Sequence, residues 1–89
     1  MDIPKETVDD LTRRLRKVGG QVRGIEQMLN DERDCRDIVT QLSAANKALE
    51  QVGFLLVAAG LEWCMSDPEA SAEAGYELKD VQRMFLKLA

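Results

Sequence analysis

With 89 residues, the chain is long enough for a single domain, 1–89, whose small core needs reinforcement such as oligomerisation. Two cysteines and no histidine argue against a disulfide-stapled scaffold, a histidine-assisted cysteine enzyme and a zinc site. We therefore expect no enzymatic activity, no metal site and no cofactor. The net charge of −4 argues against nucleic-acid binding by the chain as a whole.

The N-terminal ten residues are polar and acidic, without the apolar centre of an export signal. The longest apolar stretch, 53–61, covers less than half of a membrane span. We therefore expect a cytoplasmic protein that does not associate with membranes. Cysteines in that compartment are more often sensing, catalytic or metal-binding groups than structural bridges.

A first amphipathic helix is predicted by apolar residues that recur at steps of three and four, a heptad-type stripe. These residues are Val8, Leu11, Leu15, Val18, Val22, Ile25 and Leu29. The pair Gly19-Gly20 lies inside this helix, at a cost of roughly 1 kcal/mol per glycine, and indicates either close packing or a bend. The polar segment 30–34 ends the helix and supplies capping residues for the next one.

Within this helix, the segment between Leu11 and Ile25 contains five basic residues and no acidic residue. The five are Arg13, Arg14, Arg16, Lys17 and Arg23. The field near a surface follows the local charge, so this segment can bind phosphate although the whole chain is acidic. The alternative is an ordinary solvated helix face.

The second predicted helix, 34–65, is some 30 residues and roughly 45 Å long. Its apolar positions again follow steps of three and four: Ile38, Leu42, Ala45, Leu49, Val52, Leu56, Ala59 and Trp63. One helix of similar length and a short third helix cannot cover such a stripe, so we expect self-association. Ser66, Asp67 and Pro68 end this helix. A third helix is predicted over 71–88 from the spacing of Leu78, Val81, Phe85 and Leu88.

The cysteines lie at the two ends of the second helix. Cys35 and Cys64 are 29 residues apart, or roughly 43 Å along a helix, so they cannot meet within one chain. If two copies of this helix pack antiparallel about a twofold axis, Cys35 of one chain faces Cys64 of the other. The two thiols are then either an intersubunit sensing pair or simply small buried apolar groups.

Three segments in this order resemble the copper-sensitive operon repressor (CsoR) family, and the resemblance covers nearly the whole chain. They are residues 14–25 (RLRKVGGQVRGI), 34–44 (DCRDIVTQLSA) and 60–64 (GLEWC). The resemblance implies an all-α three-helix protomer with a long second helix, an antiparallel dimer that forms a four-helix bundle, and a dimer of dimers. It also implies a repressor that binds operator DNA as a homodimer or homotetramer.

One position departs from the copper-sensing members of that family. The copper-sensing members carry a histidine four residues before the second cysteine, whereas this chain, which resembles them elsewhere, has Gly60 at that position. Nickel- and cobalt-sensing relatives use several histidines, and this chain has none. Formaldehyde-sensing relatives use the amine of an N-terminal proline, whereas the first proline of this chain is Pro4. The chain therefore most resembles the branch that keeps only the two cysteines, in which the inducer is a persulfide or polysulfide.

The resemblance favours DNA binding by the basic helix face. The predicted DNA-binding residues are Arg14, Arg16, Lys17 and Arg23, with Lys47 of the second helix as a weaker candidate. Gln21 either contacts a base edge or caps a neighbour. Two alternatives remain open. One is a repressor that holds copper(I) between two thiolates alone, and the other is a helical dimerisation module without a DNA target.

Overall fold

A computed structural model describes residues 3–89, so the first two residues of the predicted domain lie outside it. Four helices follow one another: α1 (Lys5–Asn30), α2 (Cys35–Ser66), α3 (Pro68–Glu73) and α4 (Leu78–Leu88). No strand occurs between residues 3 and 89, so the predicted all-α class with a long second helix is confirmed.

The turn between α1 and α2 is defined by hydrogen bonds at both helix ends. The amide of Arg33 donates to the carbonyl of Met28 at 3.0 Å, and Glu32 has a positive φ of 53°. Together with the bond from the Glu32 amide to Leu29, this is a Schellman motif whose left-handed position holds a residue other than glycine. Asp34 then caps α2 by accepting from the amide of Arg36 at 2.8 Å. The predicted break at 30–34 is confirmed.

The predicted third helix is divided into α3 and α4. Gly75 has a φ of +87°, and the amide of Tyr76 donates to the carbonyl of Ser71 at 2.8 Å, which ends α3 in a second Schellman motif. Glu77 and Asp80 then form a capping box that starts α4, with the Glu77 amide donating to Asp80 at 2.9 Å. The prediction of one continuous helix over 71–88 was therefore wrong at residues 74–77.

The helices lie side by side in a layer one helix thick. The molecule measures 54 × 25 × 14 Å, and a single α-helix with its side chains is about 10–12 Å across. α2 is central: it packs against α1 along one side and against α3 and α4 on the other, while α1 contacts neither α3 nor α4 within residues 3–89. Leu88 of α4 lies directly over Gly53, where a Cβ atom would come within 2.8 Å of it.

Only half of each predicted apolar stripe is buried within the chain. The buried members recur every seven residues, on α1 and α2 alike: Leu11, Val18, Ile25, Ile38, Ala45, Val52 and Ala59. They form the seam between the two antiparallel helices. Val81 of α4 is the one further buried apolar side chain in the described range.

The other residues of each stripe are exposed, apart from Trp63, which is half-buried. On α1 the exposed residues are Val8, Leu15, Val22 and Leu29, and on α2 they are Leu42, Leu49 and Leu56, with 39–61% of their surface accessible. These residues precede or follow the buried ones by three or four positions, which places both sets on the same surface of the two-helix layer. That surface is an apolar face, and we use this name for it below.

α2 also has the length and composition of a membrane span, with a mean hydropathy of 1.3 over its most apolar 18 residues. The core helices of bundles share this composition. Their apolar residues recur at three- and four-residue steps, as they do here, so we attribute the hydropathy of α2 to packing between helices.

The apolar face predicts that folding and association are linked. Leu49→Glu places a charge at the centre of this face, where an associated molecule would bury it unpaired at a cost of more than about 3 kcal/mol. We expect the variant to lose most of its helical circular dichroism at low micromolar concentration. Ser43→Glu, which adds the same charge at an exposed position of α2, should remain folded and associated. A well-folded Leu49→Glu monomer in sedimentation would contradict this prediction.

Candidate functional site

Cys35 is the first residue of α2 and is exposed. It follows the capping residue Asp34, whose carboxylate also lies 3.4 Å from Nε of Arg36. This position leaves the thiol open to a reagent or to a second protein chain.

Cys64 occupies a different environment in the last turn of α2. It is partly buried, and its thiol donates a hydrogen bond to the backbone carbonyl of Tyr76 at 3.2 Å. The ring of Tyr76 also packs against Trp63, with ring centroids 5.8 Å apart. The segment between α3 and α4 is thereby attached to the C-terminal turn of α2 by two contacts.

A cleft of about 300 Å³ opens beside Cys64 at the junction of α2, α3 and α4. Its other lining residues are Met65, Pro68, Ser71, Ala72, Glu77 and Leu78. Ser71 is the most buried polar residue of the described chain, with 2% of its surface accessible, and its hydroxyl donates to the carbonyl of Pro68. The cleft gives a small reagent access to the Cys64 thiol.

The fold does not bring the two thiols together within one chain. They lie at opposite ends of an unbroken α2, roughly 43 Å apart from the rise per residue. Among residues 3–89, no three His, Cys, Asp or Glu side chains are grouped so that they could hold a metal ion. Gly60, one turn before Cys64, is buried.

Three basic residues of α1, Arg13, Arg14 and Lys17, line a groove of about 450 Å³ between α1 and α2, on the surface opposite the apolar face. We call it the basic groove. It is lined by Asp10, Arg13, Arg14, Lys17, Val18, Gln21, Ala48 and Gln51. Of the five predicted DNA-binding residues, Arg14 and Lys17 lie in this groove.

The other three predicted residues lie outside it. Arg16 and Arg23 are exposed and seven residues apart, so they share the outer side of α1, away from α2. A methyl group on Gly19 would lie 3.5 Å from the guanidinium of Arg23, and no other helix approaches the two glycines. Gly19-Gly20 therefore does not mark a crossing of α1 with another helix of the chain, and it leaves room for the side chain of Arg23. Lys47 is exposed one turn before Gln51 on α2.

Asp10 pairs with two residues of the basic groove. Its carboxylate accepts hydrogen bonds from Nε of Arg14 at 3.0 Å and from Nη2 of Arg13 at 2.7 Å, and these two arginines hold the pKa of Asp10 below its ordinary value. Asp10 is the residue just before the acid-free segment 11–25, so the local excess of positive charge is smaller than that segment indicates. Asp10 precedes Arg13 by three residues and Arg14 by four, and on a helix this spacing predicts both ion pairs.

Gln21 and Gln51 add polar groups to the basic groove. Oε1 of Gln21 is buried and has no hydrogen-bond partner within residues 3–89. A buried acceptor without a partner costs free energy, and a donor on a bound molecule would remove that cost. Gln51 was not among the predicted residues, because only the packing of α2 against α1 places it opposite the basic segment.

Comparison with known proteins identifies the chain's relatives. Residues 7–87 match the family model described as metal-sensitive transcriptional repressor. The copper-sensing transcriptional repressor CsoR of Bacillus subtilis is 38% identical over 82 residues, which cover 89% of this chain and 81% of that protein. The copper-sensing transcriptional repressor RicR of Mycobacterium tuberculosis is 42% identical over 67 residues, covering 75% of this chain and 68% of that protein.

The fold is likewise similar to a solved structure. The crystal structure of the copper-sensing repressor CsoR with Cu(I) from Geobacillus thermodenitrificans superposes with a TM-score of 0.81 at 30% sequence identity. The match covers 98% of this chain and 91% of that chain. The similarity therefore extends over both helices of the seam and over the α3–α4 region.

The contact between Cys64 and Tyr76 predicts different effects for two substitutions. Cys64→Ala removes the hydrogen-bond donor, which should lower the free energy of unfolding by about 1 kcal/mol or less and loosen the segment 74–77. The fluorescence of Trp63, the single tryptophan, should then shift to longer wavelength, since its contact with Tyr76 weakens. Cys64→Ser keeps a donor and should emit like the parent. Identical spectra for both variants would show that the hydrogen bond does not hold the segment.

Proposed function

The chain belongs to the metal-sensitive transcriptional repressor family, and from this premise we propose that it is a cytoplasmic, oligomeric repressor induced by persulfide or polysulfide. Members of this family are transcriptional repressors of the CsoR type rather than enzymes. The proposal concerns this chain's inducer, its oligomer and the residues that bind DNA.

The apolar face supports an antiparallel dimer that brings the thiols together. Leu49 lies midway between Leu42 and Leu56 and is fourteen residues from Cys35 and fifteen from Cys64. If a twofold axis passes near Leu49, the two α2 helices pack antiparallel with their exposed leucines in contact. The same axis places Cys35 opposite Cys64 of the second chain. The observation that carries the proposal is that the midpoint of the exposed leucines on α2 is also the midpoint between the two cysteines. The same contact covers the apolar face of both α1 helices and completes a four-helix bundle, and two such dimers form the tetramer.

The proposed chemistry needs only the two thiols and a sulfane-sulfur donor. The thiolate of Cys35, the more exposed of the two, attacks a polysulfide and gains one sulfur as a persulfide, while the shortened polysulfide leaves. The thiolate of Cys64 of the second chain then attacks Sγ of Cys35, breaks the bond from this atom to the transferred sulfur and expels hydrosulfide, which leaves a disulfide between the two cysteines. The two cysteines lose two electrons and the transferred sulfur accepts them. If both cysteines carry a persulfide, their condensation releases hydrogen sulfide and leaves a trisulfide.

Copper(I) is the second candidate inducer, because the relatives at 38% and 42% identity are named as copper-sensing. Two soft thiolates, Cys35 and Cys64 of the second chain, can hold copper(I) in linear coordination. Gly60 has no side chain that could supply a third ligand. Two thiolates alone are a poorer ligand set for copper(I) than two thiolates and an imidazole. Sulfur exchange, by contrast, needs no protein group other than the two thiols.

DNA binding is assigned to the surface that carries the basic groove. We propose that Arg14 and Lys17 bind phosphate within the groove, that Arg16 and Arg23 extend the contact along the outer side of α1, and that Lys47 contributes from α2. Gln21, with its unpartnered buried oxygen, is the candidate for a base-edge contact. The apolar face lies on the opposite surface, so an associated molecule still presents the basic residues.

A salt titration tests the DNA assignment. The apparent affinity for a duplex from the region upstream of the chain's own gene should fall steeply with salt, because each phosphate contact releases counterions. Arg14→Ala and Arg16→Ala should weaken binding and reduce the slope of log K against log salt by about 0.9 for each lost contact. Arg83→Ala, on α4, is the control and should bind like the parent. If all three variants bind equally, the basic residues of α1 form only a solvated surface.

Polysulfide treatment tests the inducer. Non-reducing electrophoresis should show a covalent dimer that is absent from Cys35→Ser and Cys64→Ser, and the treated parent should lose operator affinity by roughly 5- to 150-fold, a typical range for allosteric coupling. Cys35→Ser should not respond to the inducer at all, since Cys35 starts the reaction.

Copper(I) competition distinguishes the two inducers. Gly60→His should bind copper(I) more tightly than the parent, provided that the imidazole fits at this buried position. Gly60→Ala tests that condition through its thermal stability. If the parent binds copper(I) as tightly as Gly60→His, or if polysulfide leaves DNA binding unchanged, the copper alternative replaces the persulfide proposal.

A further inference from the structure

We infer that Asp10 is an intrachain competitor for DNA, whose carboxylate occupies guanidinium groups of the basic groove that a phosphate would otherwise bind. Through this competition Asp10 sets the operator affinity below the value that the basic residues alone would give. The inference rests on the proposed function, because it concerns Arg14, which is assigned there to phosphate binding, and Arg13 in the same groove.

The distances show which guanidinium N–H groups are hydrogen-bonded to Asp10. One carboxylate oxygen of Asp10 lies 2.7 Å from Nη2 of Arg13, and the other lies 3.0 Å from Nε of Arg14. A phosphate oxygen is recognised by the same guanidinium N–H groups. Phosphate and Asp10 therefore cannot use these two donors at once, and the carboxylate charge next to the groove repels whichever phosphate takes its place.

The exposure of the pairs makes the competition reversible. The side chains of Arg13 and Arg14 are 76% and 44% accessible, and that of Asp10 is 37% accessible. Exposed ion pairs of this kind are weak because water and salt screen them. Asp10 therefore reduces the affinity without preventing binding.

The surroundings of Asp10 locate the end of the phosphate-binding surface. Beyond Asp10, a second groove of about 320 Å³ is lined by Glu6, Thr7, Asp10, Leu11, Leu55, Ala58, Ala59 and Glu62. We call it the acidic groove, since Glu6, Asp10 and Glu62 are its charged residues. Asp10 borders both grooves, so the sign of the charge changes at this residue. Phosphate contacts should extend from Arg14 toward Lys17 and not toward Glu6.

Asp9 provides a matched control. It is adjacent to Asp10 and exposed, and it forms no ion pair or side-chain hydrogen bond in the part of the chain that the structure describes. Asp9→Asn and Asp10→Asn change the net charge of the chain equally, from −4 to −3. Any difference between these two variants measures the contact with the arginines rather than the overall charge.

The experiment is an anisotropy titration of parent, Asp9→Asn and Asp10→Asn. The probes are the labelled upstream duplex and an unrelated duplex of equal length, each at several salt concentrations. Asp10→Asn should bind both probes about three- to tenfold more tightly than Asp9→Asn, with a steeper salt dependence because more guanidinium donors reach phosphate. In a chain that also carries Arg13→Ala and Arg14→Ala, Asp10→Asn should no longer differ from Asp9→Asn.

Two outcomes would overturn the inference. Equal affinities for the two variants would mean that only the overall charge matters. Weaker binding by Asp10→Asn would mean that Asp10 orients the arginines and thereby assists binding. Circular dichroism and sedimentation of both variants exclude a change in fold or assembly as the cause.

Heparin chromatography of the same proteins separates this inference from the proposed function. Sulfate groups compete for guanidinium donors as phosphates do, so Asp10→Asn should elute at higher salt than Asp9→Asn. If the parent binds neither duplex but this difference persists, the repressor proposal fails and the role of Asp10 in DNA binding fails with it, and only its competition with other anions for the arginines remains. If the parent binds the upstream duplex and the variants do not differ, the role of Asp10 fails and the repressor proposal stands.

Discussion

A layer one helix thick cannot enclose a core, and the rest of the structure depends on this constraint. Domains bury their apolar surface between two packed layers, whereas this chain provides one layer 14 Å thick. The seam between α1 and α2 buries seven apolar side chains, of which Ala45 and Ala59 are small, while the leucines at 42, 49 and 56 stay exposed. In our proposal, the second layer comes from another copy of the chain. The contact that completes the core in our proposal is also the contact that creates the thiol pair, so folding, assembly and sensing depend on one surface.

The helices of this layer could largely be predicted from the sequence, because their determinants are local. The three- and four-residue spacing of apolar residues and the capping groups near Asp34 and Pro68 place the C-terminal end of α1 and both ends of α2 within about one residue of their observed positions. The start of α1 was not predicted: it lies at Lys5, three residues before the first stripe residue, Val8. The division between α3 and α4 was missed. There the apolar spacing continues across the break, while the signals against a continuous helix are Gly75 and the Glu77–Asp80 capping box. Those signals are weak in an alanine-rich segment, where helix propensity is high.

The candidate site was only partly predictable, for a different physical reason. The positions of Cys35 and Cys64 at the ends of α2 follow from helix length alone. The neighbours of these and of the basic residues depend on tertiary contacts. The acceptor for the Cys64 thiol is a backbone carbonyl, that of Tyr76, and a backbone group has no sequence signature. Gln51 reaches the basic groove only because α2 packs antiparallel to α1. Asp10 could have been found from its spacing to Arg13 and Arg14, but it lies one residue outside the acid-free segment.

If the basic groove binds DNA as we propose, its position beside the acidic groove also affects how the chain encounters DNA. Carboxylates around Glu6 and Glu62 at one end of the surface, followed by the cations around Lys17, give each chain an electric dipole along that surface. The field of a duplex exerts a torque on such a dipole before any contact is made, and it rotates the basic end toward the phosphates. Collisions in other orientations meet a net negative molecule and are repelled. In the proposed repressor, this charge distribution favours arrival at DNA in the orientation that the basic groove needs.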